Sequence, residues 1–300
     1  MPLAVFPKCF LDALCVTRTM RVEEWIDLAA TLDIDGLEFY EGFTPVGDAD
    51  ALARLREHAS GAGGLSIPMM CHSPDFTRPD PVERKEEVAR QCRAIKATAA
   101  LGGRYCRVLT GQRRPGLDRE RTLDRVTECI RDAAACAARH GVTLILENHY
   151  KDGYWMYPEF AQDSETFLEV LDRLGDMPHF GVNYDPSNAL IAGEDPIALL
   201  EAVKHRVVTM HASDRILEGG TLADLRRIET EPGMGYADIL KHGVIGEGLN
   251  DYDRIFSILA EVGFDGWISI EDGDDPVHGM ERLRRSVTFV RGKMLEYGVG

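Results

Sequence analysis

The sequence lacks any CxxC pair, although it contains seven cysteines, all of them in the first half of the chain. They occupy positions 9, 15, 71, 92, 106, 129 and 136. An odd, scattered set of this kind indicates reduced thiols rather than a disulfide framework. The N-terminus also lacks the basic start and apolar stretch of a secretory leader. We therefore expect a cytoplasmic protein.

Long apolar runs and an excess of basic residues are missing as well. No run approaches the roughly 18 apolar residues that a membrane-spanning helix requires, so no membrane span is expected. The formal net charge of −16 argues against nucleic acid, because phosphate binding requires Lys and Arg, and against anionic membrane surfaces. No Ser/Pro/Gly-rich linker divides the 300 residues. The chain therefore predicts a single domain over residues 1–300.

Apolar runs alternate with amphipathic helical patterns along the whole chain. Eight runs predict buried strands: 2–6, 35–40, 65–71, 104–109, 142–147, 179–184, 206–211 and 266–271. Eight helical patterns follow them, near 21–32, 49–60, 82–100, 119–139, 164–174, 196–203, 252–262 and 279–296. Eight β–α repeats, with no GxGxxG motif after a strand, favour an α/β fold of the closed (β/α)8 TIM-barrel type over an open doubly wound sheet.

The ends of the predicted helices carry the expected capping residues. Aspartates at 48, 118, 163 and 251 are placed as N-caps, and glycines at 102, 141, 175 and 263 are placed at helix ends. One connection, residues 212–250, is much longer than the others. Loops of this length usually form lids or contact surfaces, so we expect a lid or a partner contact there, with a short helix at 221–229.

Four acidic or imidazole side chains stand at the ends of four of the apolar runs. They are Glu147 in LILENHY, Asp185 in NYDPSN, His211 in VVTMHASD and Glu271 in WISIEDGDD. In a barrel of parallel strands, the carboxyl ends of all strands lie on one face, and the active sites of such barrels are found on that face. Carboxylates and an imidazole that converge there suit a hard or borderline divalent cation.

Several motifs together resemble the xylose isomerase-like barrels that include sugar phosphate isomerases and epimerases. The matching stretches cover nearly the full chain: GLEFYEG at 36–42, CHSPDF at 71–76, LENH at 146–149, NYDPSN at 183–188, MHASD at 210–214, GEG at 246–248 and SIED at 269–272. The resemblance implies that the four strand-end residues hold one Mn²⁺-like ion, with Mg²⁺, Co²⁺ or Zn²⁺ as alternatives, and that this ion grips a sugar. It also implies that Glu147 and Glu271 exchange a proton with the substrate in relatives that epimerise ketoses.

The chain departs from this family pattern at Asn188 and His149. Many relatives have a His at the position of Asn188, and the endonuclease IV type needs such a residue for its trinuclear zinc site, so the departure and the acidic charge argue against DNA repair. His149 lies two residues after Glu147, so both point the same way in an extended segment. We expect His149 or one of the glutamates to act as the base, because the pKa of His lies near neutrality. For the remaining polar residues we expect substrate binding by His72, Asn188, Arg215 and Glu38, with Glu38 alternatively orienting His72.

A narrower resemblance concerns ENHYKDGYW, HASDR, KHGVIGEGLNDYD and GWISIEDG, which look like the larger subunit of bacterial C-glycoside deglycosidases. That resemblance implies β-elimination from a 3-oxo C-glycoside, an oligomer, and a small β-sheet partner subunit that contacts the 212–250 loop. The aromatic residues Tyr150, Tyr154, Trp155 and Tyr157 are candidates for stacking on an aglycone or a sugar. Two alternatives stay open at this stage. They are keto-sugar isomerisation or epimerisation, and a non-catalytic barrel that binds a sugar or a partner.

Overall fold

Eight parallel strands form a closed barrel in the computed structural model, which describes residues 1–221, 224, 239–271, 273 and 275–299. The barrel strands are β1 (Leu3–Val5), β2 (Gly36–Tyr40), β3 (Ser66–Cys71), β4 (Tyr105–Val108), β5 (Thr143–Glu147), β6 (Phe180–Tyr184), β7 (Val207–Ala212) and β10 (Trp267–Ile270). Their order around the barrel is β1-β10-β7-β6-β5-β4-β3-β2. The predicted TIM-barrel fold is therefore confirmed.

Helices surround this barrel, and aspartates begin most of them. The helices are α1 (Val22–Ala29), α2 (Ala49–Gly61), α3 (Pro81–Ala100), α4 (Arg119–Arg139), α5 (Ser164–Leu174), α6 (Pro186–Ile191), α7 (Pro196–Val203), α8 (Tyr252–Glu261) and α9 (Gly279–Glu296). The predicted N-caps at 48, 118, 163 and 251 each accept a backbone N–H, as do the aspartates at 80, 185 and 195. Within the described ranges, no helix combines the length and the apolar character needed to cross a membrane.

The long connection after β7 contains a hairpin that the sequence did not reveal. Its strands, β8 (Arg215–Leu217) and β9 (Leu240–His242), pair antiparallel with Arg215 opposite His242. The helix predicted at 221–229 lies outside the described residues, apart from positions 221 and 224. Other short elements were also not predicted, namely α6, the 3-10 turns Lys8–Phe10 and Glu41–Phe43, and a π-helix at Asp12–Val16.

The register of the barrel brings the carboxyl ends of β5, β6, β7 and β10 level with one another. Glu147 pairs with Asn183 across β5 and β6, and His211 pairs with Ser269 across β7 and β10. These four strands are consecutive neighbours in the ring. Buried aromatic side chains, among them Trp25, Phe39, Phe167 and Phe256, fill the core. The polar residues at the carboxyl ends of these strands therefore lie on four adjacent strands of the barrel.

Candidate metal centre

The carboxyl ends of these four strands bring together the residues that the sequence singled out. Glu147 ends β5, Asp185 follows β6, His211 lies near the end of β7, and Glu271 follows β10. Nδ1 of His211 is 2.8 Å from Oε1 of Glu147 and 3.0 Å from Oε2 of Glu271. One donor atom from each of the four residues lies within 4.8 Å of the others.

The chemistry of this donor set fits a divalent cation. Three carboxylates and one imidazole are a donor combination suited to Mn²⁺, Mg²⁺ or Zn²⁺. Burial, together with the charges of Glu147 and Glu271, raises the pKa of Asp185 to about 6. Buried carboxylates this close together repel one another unless a positive charge lies between them. A cation at this position would remove that repulsion.

Two cations flank the ligand set, one on each side of the arc. Nη1 of Arg107, on β4, lies 2.8 Å from Oε2 of Glu147. Nζ of Lys8, just after β1, lies 2.6 Å from Oε1 of Glu271. Burial opposes ionisation of Glu147, but the charges of His211 and Arg107 lower its pKa to about 2. Each glutamate thus turns one oxygen to the centre and the other to a basic side chain.

Sequence reasoning missed both of these cations, although a signal for each was present. Arg107 is the one charged residue of strand β4, and it is buried. A buried guanidinium in a strand requires a partner, and the partner was the neighbouring strand's glutamate. Lys8 is the first charged residue after β1. Its position at a carboxyl strand end is the same signal that identified the four acidic or imidazole residues.

Glu38 lies beneath the centre, where it contacts His211. Its Oε1 is 3.0 Å from Nε2 of His211 and accepts a hydrogen bond from Sγ of Cys71 at 2.8 Å. This corrects the expectation that Glu38 orients His72, because His72 pairs with Glu41 instead. With Nε2 directed at Glu38, the ring nitrogen that faces the other three ligands is Nδ1, and a carboxylate behind the second nitrogen is the usual arrangement for a metal-binding histidine.

His149 faces the cavity in front of the ligand set, and a buried carboxyl group lies behind it. Its Nδ1 is 3.9 Å from Oε2 of Glu159, while Oε1 of Glu159 accepts hydrogen bonds from Thr110 and Gly111. Burial lowers the pKa of His149 to about 4 and raises that of Glu159 to about 8. The imidazole is therefore neutral at physiological pH and can accept a proton. Sequence reasoning did not identify Glu159, because its role depends on a neighbour ten residues away in a loop.

The other residues expected to bind substrate are distributed unevenly around the centre. Asn188 lies in the first turn of α6, with Nδ2 3.5 Å from Oε1 of Glu147. His72 is buried beside Glu41. Arg215 donates to Nδ1 of His242 at 2.7 Å, and His242 itself lines the cavity. Asn188 is therefore next to the ligand set. Arg215 instead contacts His242, and it is His242 that lines the cavity. The sequence analysis did not identify His242.

A cavity of about 700 Å³ opens in front of these residues. Its inner wall includes Lys8, Arg107, His149 and Glu271. Its outer wall is formed mainly by the segment after β1, the Lys151–Tyr154 stretch of the β5–α5 loop, and the β9 strand. Cavities of roughly 300–1,000 Å³ hold ligands of drug size. The space is thus large enough for a sugar together with a second group.

The sequence matches the model of a known protein family. Residues 26–293 match the model of the family described as xylose isomerase-like TIM barrel. An inosose dehydratase from Clostridium tetani is 33% identical over 96 residues, which cover 31% of this chain and 30% of that protein. The chain spans between 30% and 55% of the length of the curated relatives that it matches.

Solved structures resemble the chain over almost its whole length. The D-psicose 3-epimerase of Clostridium cellulolyticum H10, solved with D-tagatose, has a TM-score of 0.73 at 16% identity, covering 98% of this chain and 99% of that one. The IolI protein, solved with a binding zinc atom, has a TM-score of 0.73 at 15% identity, covering 99% of this chain and 98% of that one. At these identities, the two structures show a shared fold.

Proposed function

The chain belongs to the xylose isomerase-like TIM barrel family, and we propose that it is a divalent-metal-dependent enzyme that removes a proton beside the ketone of an oxidised sugar. The observation that carries this proposal is the convergence of Glu147, Asp185, His211 and Glu271, with His149 lining the cavity beside them. Related proteins are named as a dehydratase of inosose and an epimerase of a ketose. Both reactions begin by breaking a C–H bond next to a carbonyl.

Glu147, Asp185, His211 and Glu271 would hold the ion, which we expect to be Mn²⁺. A divalent cation bound there supplies positive charge that acidifies the C–H bond beside a ketone and stabilises the negative charge that develops on the substrate oxygen. Glu38 holds the imidazole of His211 in the orientation that presents Nδ1 to the centre. Arg107 and Lys8 hold the outer oxygens of the two glutamates.

His149 is the proposed proton acceptor. It lines the cavity, it is neutral at physiological pH, and Glu159 lies behind its Nδ1. A general base must be unprotonated at the operating pH and must lie within hydrogen-bond reach of the proton it removes. The two glutamates of the ligand set are less suited to this task, because Arg107 and Lys8 already engage their free oxygens. This arrangement favours a reaction with one base over an epimerisation that needs two.

The finer proposal is β-elimination from a 3-oxo C-glycoside. Loss of the proton at C2, beside the C3 ketone, is followed by cleavage of the bond between C1 and the aglycone. A C1–C2 double bond forms, and the aglycone carbon takes up a proton. The cavity of about 700 Å³ supports a substrate with a sugar and a second group. Keto-sugar isomerisation or epimerisation is the alternative, and the epimerase among the similar structures supports it.

The test is turnover by the metal-loaded protein in D₂O. Purified protein is stripped with a chelator, reloaded with Mn²⁺, and incubated with an oxidised C-glycoside and with free ketoses. Release of a free aglycone supports elimination, and solvent deuterium in a recovered ketose supports the alternative. If neither occurs with any metal, while the metal stays bound, the proposal is wrong and the alternative of a non-catalytic barrel is favoured. Co-purification from the native host tests whether an oligomer or a small β-sheet partner subunit is involved.

A further inference from the structure

The segment that connects β1 to α1 has an unusual backbone and lines the cavity. Residues Asp12–Val16 form a π-helix, a form that is rare and often found at functional sites. Arg18, which follows it, has a φ of 54°, a region that side chains other than glycine rarely adopt. Its guanidinium donates to the carbonyl oxygens of Leu14 at 2.8 Å and Gly42 at 3.0 Å. These contacts fix the segment in its unusual form.

The side chains that this segment contributes to the cavity wall include three apolar ones, next to the polar Asp12 and Thr17. Leu11, Ala13 and Val16 line the outer wall, and 60% of Val16 is exposed to solvent. Tyr154, 69% exposed, lines the same cavity from the loop after β5. Exposed apolar side chains that lie together at a groove often mark a ligand-binding site. An apolar group is therefore the suitable occupant of this part of the cavity.

Hydrogen bonds connect the Tyr154 loop to the inner wall. The backbone N–H of Tyr154 donates to Oδ1 of Asp152 at 3.0 Å, and Oδ2 of Asp152 accepts from Oγ of Ser73 at 2.7 Å. The same hydroxyl accepts from Nη2 of Arg107 at 2.9 Å. Arg107 in turn holds Glu147. The apolar wall is thus built at a fixed position relative to the ligand set.

We propose that Leu11, Ala13, Val16 and Tyr154 form a subsite for a flat aromatic group, which makes this wall the part of the cavity that selects the leaving group. The proposal rests on the proposed function, because the aromatic group is the aglycone of the oxidised glycoside. Aromatic rings pair well with a tyrosine ring and with aliphatic side chains. The polar inner wall takes the sugar, so the two ends of the cavity match the two ends of such a substrate.

Binding and turnover by two variants, Val16→Ser and Tyr154→Ala, test the subsite. The binding probe is 2-naphthol, and its binding to the metal-loaded protein is measured by calorimetry. The substrates are 3-oxo O-glycosides with an aryl or a methyl aglycone, because a phenol or methanol can leave from C1, whereas a methyl group bound through carbon cannot. The control is Val82→Ser in the first turn of α3, because Val82 is 62% exposed and is not part of the cavity wall. Each cavity variant is expected to weaken naphthol binding by about 5- to 10-fold and to lower kcat/KM by a similar factor for the aryl glycoside only. The control variant is expected to change neither quantity.

The outcomes separate the subsite from the proposed function. Equal naphthol binding by the wild type and both cavity variants would overturn the subsite, as would equal losses with the methyl and aryl substrates. Turnover of a methyl glycoside without any naphthol binding would overturn the subsite and leave the proposed function standing. Naphthol binding that both variants weaken, without turnover of any oxidised sugar, would support the subsite and overturn the proposed function. Loss of a co-purifying polypeptide in Val16→Ser, with naphthol binding unchanged, would identify the wall as a protein contact and overturn the subsite.

Discussion

Replacing Glu38 by Gln should weaken metal binding without unfolding the protein. Glu38 is fully buried, and its Oε1 lies 3.0 Å from Nε2 of His211. Loss of such an outer carboxylate typically costs about 10- to 100-fold in metal affinity. Gln keeps an oxygen that can accept the same hydrogen bond, so only the charge is lost. We therefore expect the lower part of that range, about 10- to 30-fold, or about 1.4–2 kcal/mol.

The assay is calorimetric titration of the chelator-stripped protein with Mn²⁺, with circular dichroism as a check of the fold. The matched control is Glu41→Gln, because Glu41 follows the same strand but pairs with His72 instead of a proposed ligand. The control is expected to bind the metal with unchanged affinity. A Glu38→Gln affinity within twofold of the wild type would refute the role assigned to this carboxylate. An equal loss in the control would show that any negative charge in this region has the same effect.

The remaining predictions concern the base, one ligand and acid stability. Glu271→Gln removes a ligand charge and should abolish both tight Mn²⁺ binding and turnover; near-normal activity would contradict the ligand set. His149→Ala should lower kcat by about 100-fold or more while the metal content measured by mass spectrometry stays unchanged, and loss of metal would show that His149 is a ligand or structural residue. Glu159→Gln should lower kcat by about 10-fold, since the amide keeps the hydrogen bonds from Thr110 but holds His149 less well; an unchanged rate would remove Glu159 from the site. Burial opposes ionisation of Asp75, but hydrogen bonds from Arg114 and Thr77 hold its pKa below the ordinary value. This stabilisation is present above the unfolded pKa and is lost as the pH falls through the folded pKa, so the difference in unfolding free energy between wild type and Asp75→Asn should shrink from about pH 6 to about pH 3. A difference that stays constant in urea titrations across this range would contradict that assignment.

The barrel strands could be predicted from the sequence because each is buried on both faces and therefore reads as an apolar run. β5 was expected over 142–147 and spans Thr143–Glu147. The helix starts were predictable for a local reason, since an aspartate such as Asp118 caps the backbone of the residues just after it. The four strand-end residues were found because their position relative to an apolar run fixes them on one face of the barrel.

What the sequence did not reveal depends on partners far along the chain. The pairing of β8 with β9 joins segments more than twenty residues apart, so the spacing of a short hairpin does not reveal it. The π-helix at Asp12–Val16 is followed by Arg18, whose guanidinium donates to the carbonyl oxygen of Gly42, 24 residues further along the chain. Glu159 was overlooked because nothing in its neighbours indicates that it lies behind His149. The local sequence pattern predicts the strands and helices of the barrel. The polar networks around the metal centre depend on contacts between residues that are distant along the chain.

The four donor strands are adjacent in the ring, and this has a consequence for how the centre is assembled. Main-chain hydrogen bonds between β5, β6, β7 and β10 fix the spacing of the strand ends that carry the donors. The relative positions of the donors therefore depend on the pairing of these strands. A shift in the register of any one of these four strands would therefore abolish metal binding, even if the other four strands of the barrel kept their native pairing.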